Sequence, residues 1–430
     1  MSSTPALIAL ETGSDEEFRN ALRGFRRDLH AHPELCFEEH RTSERIAAQL
    51  AAWGIPVHRG LGGTGVVGTI RGTGAAKATG ITNTEAPSTN DDPAPAAERA
   101  IGLRADMDAL PITERNTFVH ASRHPGRMHA CGHDGHVAML LGAARQLVRQ
   151  PDFDGTVHLI FQPAEEGGGG AHAMIRDGLL EQFPMAAVFG MHNWPGLPAG
   201  DFALRAGPVM GSSNEFLITV RGRGSHAAMP DEAADPVPVA CQIVQGLQTI
   251  ISRNRNPLEA AVLSVTMIQA GEATNVVPDT ATIQGTVRTF TTEAIDLIET
   301  RMRAIVEHTA HAFDCTGETV FTRNYPPTIN HERETDFCRQ VLHELVGAER
   351  VHPFQPTMGA EDFAYFLQER PGCYLMIGNG DGAHRASGHG DGPCTLHNPN
   401  YDFNDDLLAP GAAFWVRLVK RWFAGLEPMR

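Results

Sequence analysis

Residues 128–136 read MHACGHDGH, which puts a cysteine, an aspartate and three histidines within nine positions. Cys131 is open to three readings there: a nucleophile, a metal ligand, or a small apolar residue that lies among histidines. Cys-x-His is a weak spacing by itself, and a lone cysteine is most often a buried hydrophobe. A nucleophilic cysteine usually takes its base from elsewhere in the fold, whereas Cys131 and His133 stand two apart at a helix start. The metal reading needs further nitrogen and oxygen donors. The chain offers Glu166 in QPAEEGGGG, His192 closing AAVFGMH, and His397 in LHNPNYDFND. Thiolate, imidazole and carboxylate together suit zinc or another transition metal.

Two more acidic pairs bear on the chemistry. Glu165 and Glu166 end an apolar run and precede four glycines. An arbitrary Glu-Glu pair would more often be helix N-terminal acids. Here the run before them reads as buried, and the glycines allow close approach of backbone or substrate. One carboxylate can then bind a metal while the other accepts a proton. Asp106 and Asp108 in RADMDALP could simply cap a turn. Their functional reading is as acceptors for the free N–H of a ligating histidine, which fixes its tautomer. His226 in GRGSHAAMP, Asn275 in GEATNVVPD and Arg288 in GTVRTF are weak signals singly. Together they are the donors that carboxylate and oxyanion recognition uses. His129 reads as structural, and His136 as a helix residue near the site.

The elements that must position these residues alternate between strand and helix. Apolar residues at helical spacing (Phe18, Leu22, Phe25, Leu29) predict an amphipathic helix over 15–30, opened by a Ser14–Glu17 capping box. GVVGTI, AIGLRAD, GTVHLIFQP and AAVFGMH read as strands, and DGHVAMLLGAARQLVRQ and GGAHAMIRDGLL as helices. This pattern implies a largely parallel α/β sheet, whose ligands bind beyond the carboxyl ends of its strands. From about residue 208 the order becomes βαββαβ, a split-βαβ, ferredoxin-like sandwich. Its second helix should bury Ile295, Ile298, Met302, Ile305, Val306 and Phe313. Helix and strand patterns resume after about 326, including AEDFAYFLQER as a helix. The expected organisation is a catalytic domain over 1–207 and 326–430, an inserted lid or dimerisation domain over 208–325, and a flexible linker over 72–99.

The 430 residues, 42% apolar and 20% charged, fit a globular protein of more than one domain. A net charge of −16 argues against sequence-independent nucleic-acid binding and against docking on an anionic membrane. No run approaches the roughly 20 apolar residues of a membrane span. Seven scattered cysteines show no disulfide framework. With no secretory signal visible, a reducing cytoplasm is the expected location.

Nine motifs in order, from RRDLHAHPEL and GLRADMDALP through MHACGHDGH, FQPAEEGGGGA, MHNWPGLPAG, GRGSHAAMP, TNVVPDTATIQGTVRT and MGAEDFAYF to LHNPNYDFND, span nearly the whole chain. Together they resemble the dinuclear-metal amidohydrolases of the aminoacylase and glutamate-carboxypeptidase superfamily. Within it they are most similar to the branch of hippurate hydrolase, N-acyl-L-amino acid amidohydrolase and auxin-conjugate hydrolase. The resemblance implies a zinc-exopeptidase-like catalytic domain with a lid, acting as a homodimer or higher homo-oligomer on small N-acyl amino acids. It implies two divalent ions (Mn, Zn, Co or Ni) held by Cys131, His133, Glu166, His192 and His397, with Cys131 bridging. Glu165 becomes the general base for water activated by the metals, and His226 the oxyanion-stabilising residue. Asn275 and Arg288 become carboxylate-binding residues, and Asp106 and Asp108 support the ligands. An N-acetyl-diaminopimelate deacetylase or an aminobenzoyl-glutamate hydrolase of the same branch is an alternative. A thiol amidohydrolase and a non-catalytic binding protein are more distant ones. Cys36 departs from the branch, standing where its motif commonly has glycine. The 72–99 linker and the 381–394 loop with His384 and His389 are longer than the branch leads one to expect.

Overall fold

The computed structural model describes residues 7–8, 15–74, 99–385 and 388–425. The Ser14 cap and most of the expected 72–99 linker lie outside the described residues. The strands are β1 (Val57–Leu61), β2 (Gly65–Arg71), β3 (Ala100–Asp106), β4 (Thr156–Gln162), β5 (Ala187–Pro195), β6 (Phe202–Leu204), β7 (Gly207–Met210), β8 (Ser213–Arg221), β9 (Ser225–His226), β10 (Ala261–Ala270), β11 (Val276–Val277), β12 (Thr280–Thr289), β13 (Thr316–Tyr325), β14 (Thr328–Asn330), β15 (Val351–Pro353) and β16 (Gly372–Gly380). The helices are α1 (Asp15–Ala31), α2 (His40–Ala52), α3 (His133–Arg149), α4 (Gly170–Arg176), α5 (Leu179–Gln182), α6 (Pro236–Arg253), α7 (Thr292–His311), α8 (Glu332–Val346), α9 (Ala364–Glu369) and α10 (Leu408–Phe423). None is long and apolar enough to cross a membrane, among the described residues.

By their contacts the residues fall into two units. The first runs to Gly207 and takes up Asn330–Gln355 and everything from Tyr365 onward; the second is Pro208–Ile329 with Pro356–Ala364. Residues 356–364, assigned from sequence to the catalytic domain, therefore group with the inserted unit.

The first unit is built on an eight-stranded sheet of order β1-β2-β4-β3-β5-β16-β6-β15. Four neighbouring pairs are parallel (β4–β3, β3–β5, β5–β16, β6–β15) and three antiparallel (β1–β2, β2–β4, β16–β6). The centre of the sheet is thus parallel and carries the expected functional strands. Strands β3, β4 and β5 are buried along nearly their whole length, as a parallel sheet covered on both faces requires. Helix α3 is apolar on almost every side and correspondingly buried. Its Leu140, Leu141 and Leu147 are completely excluded from solvent, each worth about 1.5–3 kcal/mol. The predicted single helix over GGAHAMIRDGLL is instead two, α4 and α5. The chain turns at Gly178, whose φ of 92° is left-handed.

The second unit holds a four-stranded antiparallel sheet, order β10-β12-β8-β13. With α6 and α7 it completes the βαββαβ order. One face buries Phe216, Ile218, Val220 and Ile283 against Val239, Ile243, Ile298 and Met302 of the helices. Ile305 is only partly buried. Phe313 falls two residues past the end of α7 and is half exposed, so the predicted stripe stops short of it. Likewise the helix expected over AEDFAYFLQER forms only from Ala364.

His129 and His158 are buried, and burial is the leading cause that holds both imidazoles down at about 4. Their protonation is penalised only in the folded state. Their stabilising contribution is therefore intact above the ordinary value of 6.5 and lost as pH falls from there toward 4. Thermal denaturation followed from pH 7 to 4 should show a falling Tm, and His158→Gln should flatten that slope. An unchanged slope in the variant would remove His158 from the account.

Candidate metal centre

Five segments of the first unit meet at the carboxyl ends of β3, β4 and β5. Strand β3 ends on Asp106, with Asp108 two residues on, and β4 ends just before Glu165 and Glu166. Strand β5 carries His192, the start of α3 carries Cys131 and His133, and a loop before α10 carries His397. Two donor groups result. Ligand atoms of Cys131, His133 and His192 lie within 4.8 Å of one another, and so do those of Cys131, Glu166 and His397. Cys131 belongs to both. A third group joins His133 to Glu165 and Glu166. Cys131 Sγ is 3.3 Å from His192 Nε2. Glu166 Oε1 is 3.4 Å from His397 Nε2 and 3.8 Å from His133 Nε2.

The hydrogen bonds around this cluster leave lone pairs facing inward. His192 Nδ1 donates to the Asn193 carbonyl at 2.6 Å, so Nε2 is the acceptor nitrogen. His133 Nδ1 is 3.2 Å from Asp108 Oδ1, as expected for a carboxylate that orients a ligand. Its Nε2 is buried with no hydrogen-bond partner. Although burial opposes it, Asp106, Asp108 and Glu166 push the His133 imidazole up to about 10. Burial, reinforced by Glu166, Glu165 and Asp106, raises the Cys131 thiol. Burial together with the neighbouring His136 lowers His192. An enclosure of carboxylates that draws positive charge onto His133, beside a thiol and an imidazole with an inward lone pair, fits divalent cations bound at these atoms.

Asp106 departs from its expected role. Its Oδ1 takes His136 Nδ1 at 2.6 Å and its Oδ2 takes Arg104 at 2.6 Å, while His133 Nε2 stays 3.8 Å away. His136 is therefore more than a nearby helix residue. Its Nε2 accepts the Asn193 backbone N–H at 3.0 Å. Asn193 Nδ2 donates to the Cys131 carbonyl at 2.6 Å, and Tyr401 Oη donates to Asn193 Oδ1 at 2.7 Å. Asn193 thus ties the Cys131, His192 and His397 segments together. Nothing in the sequence singled it or Tyr401 out, because the partners are remote: Tyr401 is 208 positions away. Gly132 (φ 89°) sits against this knot, and a Cβ there would run into Asn193 Nδ2 and Tyr401 Oη. Gly132→Ala should lower metal affinity at least tenfold, roughly the loss seen when groups supporting a ligand are removed; equilibrium dialysis checks this.

Two non-glycine residues at the site have left-handed backbone, Ala164 (φ 52°) and His397 (φ 60°). Such strain costs on the order of 1–3 kcal/mol and collects at functional sites. Both long-loop histidines turn elsewhere: His389 Nε2 is 3.0 Å from Asp402 Oδ2, and His384 Nε2 is 3.2 Å from the Asp402 carbonyl. In the second unit, β9 pairs with β11, with His226 opposite Val276. Ala227 N–H donates to the Asn275 carbonyl at 3.0 Å, so His226 and Asn275 share one exposed ribbon. Arg288 lies half-buried on β12, and burial lowers its guanidinium.

A dinuclear-metal α/β hydrolase is the class that this fold and donor set define. Residues 102–421 match the family described as Peptidase family M20/M25/M40, and the chain belongs to it. It is 38% identical over 425 residues to hippurate hydrolase of Campylobacter jejuni, covering 98% of this chain and 100% of that one. It is 35% identical over 416 residues to the IAA-amino acid hydrolase ILR1-like 4 of Arabidopsis thaliana, covering 96% and 88%. A solved Bacillus subtilis structure, described as a dinuclear metal binding peptidase from the M20 family, superposes with a TM-score of 0.76 at 32% identity, covering 94% and 98%.

Proposed function

We propose that this protein hydrolyses the amide bond of N-acyl amino acids, releasing a carboxylic acid and a free amino acid. The observation that carries the reading is the pair of donor groups sharing Cys131, with Glu165 beside them. Cys131, His133 and His192 would hold one ion, and Cys131, Glu166 and His397 the other. Mn, Zn, Co and Ni all suit such a mixed donor set. When bound, the two ions supply Lewis acidity that lowers the pKa of water and polarises the acyl carbonyl.

The chain's own groups do the rest. Glu165 takes a proton from the attacking water and returns it to the leaving amine. Asp108 keeps the His133 ring in register. His226 stabilises the oxyanion: its Nδ1 accepts the Ala228 N–H at 3.1 Å, which leaves Nε2 as the donor. Asn275 and Arg288 hold the amino acid's carboxylate. The resemblance drawn from the motifs supports a homodimer or higher homo-oligomer, and seven unpaired cysteines support a reducing cytoplasm. Benzoyl, acetyl and indole-acetyl conjugates are the substrate class favoured by the relatives' names. N-acetyl-diaminopimelate and aminobenzoyl-glutamate belong to the same test panel.

Chelation should abolish hydrolysis across an acyl-amino-acid panel, and Mn²⁺, Zn²⁺ or Co²⁺ should restore it, scored as released amino acid. A chelation-resistant activity with a covalent acyl group on Cys131 in mass spectra would favour the thiol mechanism instead.

A further inference from the structure

We propose that Glu39, between α1 and α2, is a positioning residue for the Glu165–Glu166 pair, acting through the backbone of Ala164. This rests on the reading of Glu165 as base and Glu166 as ligand. Ala164 is fully buried and left-handed (φ 52°), a conformation that side-chain-bearing residues hold only where the surroundings impose it. Glu39 imposes it. Its Oε1 accepts the Ala164 N–H at 2.9 Å and the Phe37 N–H at 3.0 Å, and its Oε2 accepts the Thr64 hydroxyl at 2.6 Å. The Ala164 carbonyl in turn accepts the Gly170 N–H at 3.1 Å. Glu165 and Glu166 follow directly from this pinned residue.

The three donors to Glu39 are all neutral, and the carboxylate is completely buried. Burial lifts its carboxyl to about 7. A buried carboxylate facing neutral donors is a costly filler; its geometry is what recommends it, because one oxygen fastens the 37 and 164 amides together. A second strut stands beside it. Cys36 Sγ donates to the Glu166 carbonyl at 3.4 Å and to Asp108 Oδ2 at 3.2 Å. Asp108 Oδ2 also accepts the Glu166 N–H at 3.0 Å. The 36–39 segment thus grips the turn on both sides of Glu165, and on the Glu166 side Cys36 also meets Asp108, the carboxylate that orients His133.

A double-mutant cycle with Ala164→Gly decides the matter, since glycine adopts a positive φ without steric penalty and needs no clamp. Glu39→Met should lower kcat by about 10–100-fold, the order of loss expected from displacing a catalytic group by an ångström, with little change in KM. It should also perturb the absorption bands of the Co²⁺-loaded protein. Glu39→Gln keeps an acceptor oxygen and should restore most of both. Adding Ala164→Gly to Glu39→Met should recover at least about tenfold in kcat and the wild-type cobalt spectrum. A folded Glu39→Met that Ala164→Gly fails to improve, or a Glu39→Gln as impaired as Glu39→Met, overturns the proposal. Where Glu39→Met does not fold, Thr64→Val frees Oε2 alone and carries the same cycle with a smaller loss; no recovery there overturns it equally. A fully active Glu165→Gln would remove the base assignment, yet the cobalt spectrum would still decide the role of Glu39 through Glu166.

Discussion

Glu165→Gln should keep its full complement of metal and lose about 10²–10⁴-fold in kcat, the range that a general acid–base contributes. The reason is positional. Glu165 is buried and shares a donor group with His133 and Glu166, but it is absent from both groups built around Cys131. The amide oxygen of glutamine can replace its hydrogen-bonding contacts, whereas it cannot take a proton from water near neutral pH. KM should change little, because substrate contacts are assigned to other residues. Metal content by elemental analysis, together with steady-state kinetics, checks both halves. Lost metal would make Glu165 a ligand, and near-wild-type turnover would place the base elsewhere.

Arg26→Leu should destabilise the first unit by about 3–5 kcal/mol, the usual cost of breaking a buried ion pair. The guanidinium is completely buried and faces three carboxylates. It lies 3.0 Å from Asp134, 2.6 Å from Asp402 and 3.5 Å from Asp405. Asp134 also takes His30 Nδ1 at 2.9 Å, and His30 is held up at about 9, with Asp134 the main cause that outweighs burial. Without Arg26 these acids repel one another in a dry interior. Arg26→Lys should recover only part of the loss, because one ammonium cannot fork toward three partners. Asp134 follows His133 directly, and Asp402 lies five residues past His397. The leucine variant should therefore lose metal as well as stability, unlike Glu165→Gln. Denaturant midpoints and metal content separate the two variants.

The donors were legible because their types announce chemistry and because α/β alternation puts strand ends on one edge. Cys131, His133, Glu166, His192 and His397 each sat at such an end or in a loop that could reach it, and the structure brings them together. The βαββαβ order of the second unit was equally readable from period-two and helical patterns. What the sequence hid is the support. Glu39 looks like any helix-start acid until Ala164, 125 positions away, is seen on its oxygen. Asn193 and Tyr401 carry no spacing signal, since their bonds join segments that only the folded sheet makes adjacent. Asp106 was expected on a ligand and serves His136 instead, a choice set by side-chain geometry within a few ångströms. The left-handed Ala164 also escaped notice, because alanine advertises no positive φ.

Crystallography of the metal-reconstituted protein, with anomalous scattering collected at the metal edge, should show two peaks per chain, one against Cys131, His133 and His192 and one against Cys131, Glu166 and His397, with Sγ of Cys131 in contact with both. A single ion, or two ions that leave Cys131 untouched, would contradict a dinuclear site bridged by Cys131.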